Sequence, residues 1–80
     1  MSKKAVTKPR YVSAPVAARL ARVALKTMHR WRARYHLGDR LRPGTEHCVE
    51  VELAALEELL GVQFRPDEIM AAAVGELADA

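Results

Sequence analysis

The 80-residue chain has few of the residues that stabilise a small protein without a large core. Its one cysteine, Cys48, excludes an intramolecular disulfide and favours a reducing compartment. Only four residues are aromatic, and the hydrophobic half of the composition contains 14 alanines, so the apolar side chains are mostly small. A core in a chain of this length supplies only about 3–5 kcal/mol of net stability. We therefore expect the protein to act with a partner.

Long apolar runs are also missing. A bilayer span needs about 20 consecutive apolar residues, and a signal peptide needs an apolar segment after its charged start. The sequence contains neither, so we expect a cytoplasmic protein with no membrane partner.

Motifs for chemistry are absent as well. There is no phosphate-binding loop or nucleophile motif, and neither Ser13 nor His29 has a carboxylate at a suggestive spacing. His36, His47 and Cys48 match no metal-ligand template. The expectation is a protein that is not an enzyme, with no catalytic residues, no metal and no cofactor.

Acidic residues are nearly missing from the first half of the chain. Residues 1–42 carry twelve Lys and Arg against one Asp, whereas residues 43–80 carry one Arg against nine Asp and Glu. A segment this basic favours a polyanion, which is DNA, RNA or an anionic surface. The acidic half is expected to lie on the far side of the molecule, or to face the basic half of a neighbouring copy.

The start of the chain predicts an arm followed by a helix. Residues 1–10 show no periodicity and predict a disordered basic arm, with a short extended piece at residues 11–12. Ser13 is a suitable N-cap and Pro15 is tolerated in a first helical turn, so a first helix is predicted over residues 14–21.

A second helix is predicted over residues 25–36 after a tight connection, with Gly38 ending it. Met28, Trp31 and Tyr35 fall on one face at helical spacing, which predicts core packing. The opposite face and its flanks are nearly all cationic, with Lys26, Thr27, His29, Arg30, Ala33 and Arg34.

The second half predicts a hairpin and two more helices. Leu41 before the Pro-Gly pair and Val49 and Val51 after it alternate with polar residues, which indicates a β-hairpin with a loop of about four residues. A third helix is predicted over residues 52–60, and a fourth over residues 67–78. The fourth has an apolar stripe that either covers the core, packing on the third helix, or mediates self-association: Ile69, Met70, Ala73, Val74 and Leu77.

The fold class is therefore mainly α with a small β-hairpin, and the element order is that of a winged helix-turn-helix plus a C-terminal helix. The run Lys26-Thr27-Met28-His29-Arg30-Trp31 follows a helix and turn spelled Ala17-x-x-Leu20-x-x-Val23. This pattern resembles the MerR-like winged helix, and most of all the short branch containing excisionases, also called recombination directionality factors, of phages and mobile elements. The resemblance covers about residues 11–60, and we divide the chain into an arm (1–10), the DNA-binding domain (11–61) and a C-terminal helix (62–80).

The resemblance implies that the second helix enters the DNA major groove and that the hairpin wing lies against phosphate or the minor groove. Arg22 and Ala24 depart from the usual Gly and polar cap, and Glu46 and Glu50 on the wing would repel phosphate. The Lys and Arg of the arm are either a solubility tail or a further DNA contact. The implied DNA-binding residues are Lys26, Thr27, His29, Arg30 and Arg34 on the helix, Arg40, Arg42 and Thr45 on the wing, and Lys8 and Arg10 on the arm.

The function expected from this resemblance is that of a nucleoid-associated excisionase, which binds and bends double-stranded DNA for an integrase. A small transcriptional regulator on the same fold is the alternative, and an RNA- or protein-binding module of a phage or mobile element is a further one. RNA readers present exposed aromatic residues, whereas Trp31 and Tyr35 are predicted to be internal. Cooperative self-association on DNA is expected through the apolar stripe and through acidic residues facing the next copy's basic half, namely Glu57, Glu58, Asp67 and Glu68.

Overall fold

The computed structural model describes the backbone of residues 8–79 and the side chains of residues 8–75. The protein is mainly α-helical with a small antiparallel sheet and a C-terminal helix, as the sequence predicts. No helix within residues 8–79 is both long and apolar enough to span a membrane. The elements, in chain order, are β1 (Tyr11–Ser13), α1 (Ala14–Ala21), α2 (Leu25–Arg34), β2 (Arg40–Leu41), β3 (Val49–Glu52), α3 (Leu53–Leu60) and α4 (Pro66–Asp79).

The sheet has three strands in the order β1-β3-β2, with β3 in the centre. Leu41 pairs with Val49 in the predicted hairpin, and Val12 of the N-terminal strand pairs with Val51 on the other side. The Arg42 N–H donates to the Cys48 carbonyl at 2.8 Å, so the hairpin loop proper comprises residues 43–47, slightly longer than expected. The N-terminal strand thus completes a sheet of which the sequence predicted only the hairpin.

Helix α1 has the predicted bounds because its two ends are specified locally. Ser13 Oγ accepts a hydrogen bond from the Val16 N–H at 3.3 Å, and Pro15 lies in the first turn. At the other end Arg22 adopts a left-handed conformation, with φ +60°, that lets its N–H bond to the last carbonyls of the helix. A left-handed conformation costs a non-glycine residue roughly 1–2 kcal/mol, so Arg22 is a strained position.

Helix α2 ends at Arg34, two residues before the predicted end. Tyr35 is already extended, because the chain must leave the helix to bring Leu37 into the core, where it is 1% exposed. The Leu37 carbonyl then accepts the Glu52 N–H at 2.9 Å. Gly38 does take a positive φ, but in this connection to the sheet and not as the stop of the helix. Tyr35 is 39% exposed, so its predicted place in the core is wrong.

The core lies between the sheet and the four helices. Helix α4 packs across α1. The expectation that it would pack on α3 is therefore wrong. Ile69 is 6% exposed and Ala73 packs against the core, whereas Met70 and Val74 are 64% and 58% exposed. The predicted stripe is therefore divided, because it is wider than the contact with α1. Leu77 belongs to the stripe too, but its side chain lies outside the described part.

Candidate nucleic-acid interface

The exposed face of α2 carries a row of cations that have no acidic partner. Lys26, Arg30 and Arg34 follow one another at intervals of four residues, and all three are exposed. Among the described residues none of them forms an ion pair, and Arg34 has only a ring contact, 6.0 Å from the Tyr35 centroid. Arg22, in the turn before α2, is also exposed and has no ion pair within residues 8–75. We call these four residues the free cations.

Most other cations of the described chain are neutralised by carboxylates of the same chain. Lys8 bonds to Glu57, a residue 49 positions away in the sequence. The expectation that the acidic half lies far from the basic half is therefore wrong in part, because several acidic residues face basic ones. Other ion pairs among the described residues are Arg10–Glu52 at 3.2 Å, Arg32–Asp39 at 3.1 Å, Arg40–Glu50 at 3.1 Å, Arg42–Glu50 at 3.2 Å, Arg65–Asp67 at 3.2 Å and Arg65–Glu68 at 4.0 Å.

The hairpin is organised around Glu50, which is only 9% exposed. Its two carboxylate oxygens accept from Arg40 Nε and Arg42 Nε, and the Arg40 guanidinium lies 3.7 Å from the centre of the Tyr11 ring. Because two cations compensate the carboxylate, the expected repulsion of phosphate by Glu50 is largely removed. The same pairing reduces the charge that Arg40 and Arg42 offer to a ligand.

The third wing residue, Thr45, also serves the hairpin. Its hydroxyl donates to the Arg42 carbonyl at 2.8 Å, and its N–H donates to the same oxygen at 3.1 Å. Thr45 therefore closes the loop and has no free hydroxyl hydrogen for a ligand. Thr27, in the first turn of α2, is half-buried.

Residues 8–10 of the predicted arm are tied to the rest of the protein, whereas residues 1–7 lie outside the described part. The Arg10 carbonyl accepts the Leu53 N–H at 2.9 Å, and Lys8 bonds to a Glu57 oxygen that also accepts the Phe64 N–H at 2.8 Å. Burial alone would raise the pKa of Glu57, but these two hydrogen bonds and the Lys8 charge hold that pKa below its ordinary value. Lys8 and the backbone of Arg10 thus tie this segment to α3, while the Arg10 side chain stays 76% exposed in its pair with Glu52.

A cleft of about 310 Å³ separates α2 from the hairpin. His29 of α2 and Arg42 and His47 of the hairpin line it, so one predicted helix residue, His29, and one predicted wing residue, Arg42, share a concave surface. Cys48 also lines the cleft and is exposed. Within the described residues, no three His, Cys, Asp or Glu side chains are placed to hold a metal ion.

No known family model, curated protein or solved structure matches the chain. The argument for a ligand therefore depends on the geometry of the residues themselves. The helix residues Lys26, His29, Arg30 and Arg34 are all exposed, and Arg42 lines the cleft beside His29. The residues that form bonds within the chain are Lys8, Arg10, Arg40, Arg42 and Thr45.

Sequence reasoning missed three residues of this surface. The sequence pattern marks Arg22 only as a departure from the usual glycine, although it is a free cation. The pattern does not indicate Arg32, which contacts His29, or Asp39, which contacts Arg32. The seven-residue separation of Arg32 and Asp39 spans a helix end, so no helical spacing could reveal the pair.

Proposed function

We propose that the protein binds double-stranded DNA as a winged helix-turn-helix, with α2 in the major groove. The observation that carries the proposal is the distribution of free cations. Those on α2 lie in one row on one exposed face, whereas the cations of the hairpin and of residues 8–10 have internal carboxylate partners. A row without internal partners is available to an external polyanion.

The dimensions of α2 support the proposal. A helix of ten residues is about 15 Å long, and the major groove of B-DNA, about 12 Å wide, admits one α-helix. An Arg at the centre of the row can bond the O6 and N7 of one guanine, whereas Lys26 and Arg34 at its ends are placed for phosphates. We assign the sequence-reading contact to Arg30.

Two finer roles depend on the same contact. The resemblance of residues 11–60 to excisionases favours a nucleoid protein that arranges DNA for an integrase, and a small transcriptional regulator would use the same surface. The exposure of Tyr35 is the one observation that favours the alternative of an RNA-binding module. That ring contacts Trp31 edge-on at 6.4 Å and lines a groove with Glu58 of α3, a carboxylate that disfavours a nucleic-acid strand there.

Self-association on DNA is proposed through α4, in a narrower form than the sequence suggested. Met70 and Val74 provide exposed apolar area. Of the four acidic residues expected to face a neighbouring copy, Glu57, Asp67 and Glu68 already have partners within the same chain, and only Glu58 has none among the described residues. The apolar contact is therefore the one that we retain.

The test is binding of a labelled duplex selected from a randomised pool. Arg30→Ala is expected to weaken binding by about 1–3 kcal/mol, roughly 5- to 150-fold, and to relax the preference at one base position. Arg65→Ala removes the same charge from the residue just before α4 and serves as the control. Unchanged affinity and unchanged preference in the Lys26→Ala/Arg30→Ala double variant would show that α2 does not contact DNA.

A further inference from the structure

Arg32 differs from the other arginines of α2 because two edges of its guanidinium group form hydrogen bonds with side chains, one with Asp39 and one with His29. Its side chain is 24% exposed, and its Nε and Nη2 atoms lie 3.3 and 3.1 Å from Asp39 Oδ2. Its third nitrogen, Nη1, lies 2.8 Å from Nδ1 of His29, one turn earlier in the helix. Asp39, Arg32 and His29 therefore form a continuous chain of hydrogen bonds from the connection before β2 to the exposed face of α2.

The direction of the last hydrogen bond follows from the chemistry of the two groups. A guanidinium has five N–H donors, no acceptor and a proton that it does not lose in proteins. Arg32 must therefore donate, and His29 Nδ1 must accept. An imidazole that accepts at Nδ1 carries its hydrogen on Nε2, so the outer nitrogen of His29 is a donor.

Asp39 is needed for this arrangement. By accepting two of the guanidinium N–H groups, it sets the plane of the group and leaves Nη1 directed at His29. Without Asp39 the Arg32 side chain could turn toward solvent as its neighbours do. Arg32 is therefore a positioning residue, and its charge is compensated before any ligand binds.

We propose that Asp39 and Arg32 fix His29 as a hydrogen-bond donor, and that His29 thereby selects for an acceptor on a base edge in the major groove. This inference rests on the proposed binding of DNA. The acceptors that fit are guanine O6 or N7, adenine N7 and thymine O4, whereas the N4 amino group of cytosine offers only a donor. A phosphate oxygen is also an acceptor, and the experiment must separate it from a base.

The first arm of the experiment needs no DNA. Side-chain ¹⁵N–¹H spectra of the free protein report which imidazole nitrogen carries the hydrogen, and a His29→Gln variant assigns the signals of His29. We expect His29 to show the Nε2–H form alone, while His36 and His47, which are exposed, show a mixture of forms. Arg32→Lys and Asp39→Asn should give His29 the same mixture. A mixture at His29 in the unaltered protein, unchanged by either substitution, overturns the proposal.

The second arm measures base preference with the randomised duplex pool. His29→Ala is expected to relax the preference at one position, and Arg32→Lys should relax the same position while having no further effect when His29 is already Ala. A uniform loss of affinity in His29→Ala without a change in preference means a phosphate contact and overturns the reading of a base. If Arg32→Lys changes the base preference equally in the unaltered protein and in His29→Ala, Arg32 acts without His29 and the proposal is overturned. If no duplex binds, the proposed function fails, and the spectra of the first arm still decide whether Arg32 fixes His29.

Discussion

The distinction between free and paired cations predicts how salt affects binding, one residue at a time. Each phosphate neutralised by a protein cation steepens the log–log dependence of the binding constant on salt by about 0.9 for B-DNA. If all twelve basic residues of the first half met phosphates, the slope would be about −11. The four free cations alone predict a slope of about −3.6.

The assay is fluorescence anisotropy of a labelled duplex, with the binding constant measured over a range of salt concentrations. Lys26→Gln and Arg34→Gln should each reduce the slope by about 0.9, because each removes a cation that has no other partner. Arg10→Gln and Arg40→Gln are the matched controls and should change it much less, because Glu52 and Glu50 already compensate these residues.

A version of the protein that begins at Lys8 separates any contribution of residues 1–7 from that of the free cations. The reasoning is refuted if the four substitutions change the slope equally, since the internal ion pairs would then not limit the charge that DNA meets. The shortened protein keeps ten of the twelve basic residues, so a slope near −9 in it would refute the reasoning as well, because every pair would have to open on binding.

Three further substitutions test other parts of the structure. Arg22→Gly should raise the free energy of unfolding by about 0.5–1 kcal/mol by relieving the left-handed strain, while it reduces the salt slope of binding; chemical denaturation that shows a loss of stability would contradict this. Glu57, whose pKa is held below its ordinary value, stabilises the fold at neutral pH and loses this contribution as the pH falls below the ordinary glutamate range. The fall of the urea midpoint in acid should therefore be shallower in Glu57→Gln, and identical pH profiles would contradict the assignment. Met70→Ser with Val74→Ser should abolish cooperative binding to a long duplex in gel shifts without unfolding the core, whereas Leu41→Ser, which removes exposed apolar area from the hairpin, should leave it intact; cooperativity that survives the double change shows that α4 only covers α1.

The parts of the fold that depend on neighbouring residues were predictable from the sequence. Helix α1 was placed correctly because Ser13 and Pro15 specify its start within three residues. The end of α2 was missed because it is set by Leu37, whose burial against other elements forces the chain out of the helix. Gly38 was recognised as special, but its positive φ belongs to the approach of the chain to Glu52, whose Oε1 would lie 2.8 Å from an added Cβ atom.

The burial of Glu50 could not be read from the alternation of β3. That pattern correctly directs Val51 inward, and it assigns Glu50 to the outer face. The carboxylate is nevertheless covered there, because Arg40 and Arg42 of the hairpin lie over it.

The candidate surface was likewise predictable only as a set of residue types. The sequence showed a cationic face on the second helix, but it could not show which cations lack partners. Arg10–Glu52 and Lys8–Glu57 join residues 42 and 49 positions apart, and no spacing rule connects such residues. For the same reason the sequence could not show that Lys8 and Arg10 have carboxylate partners within the chain.

The position of β1 at the edge of the sheet has a consequence for the order in which the chain can fold. Helices α1 and α2 with their turn involve only local contacts, which form quickly. Val12, however, pairs with Val51, which is far away in the sequence. Closing a loop of about 40 residues carries an entropic cost that only later contacts offset. During synthesis the strand at residue 11 therefore waits until β3 has left the ribosome. A fragment that ends before β3 would therefore have the cationic helix without the central strand with which β1 and β2 pair.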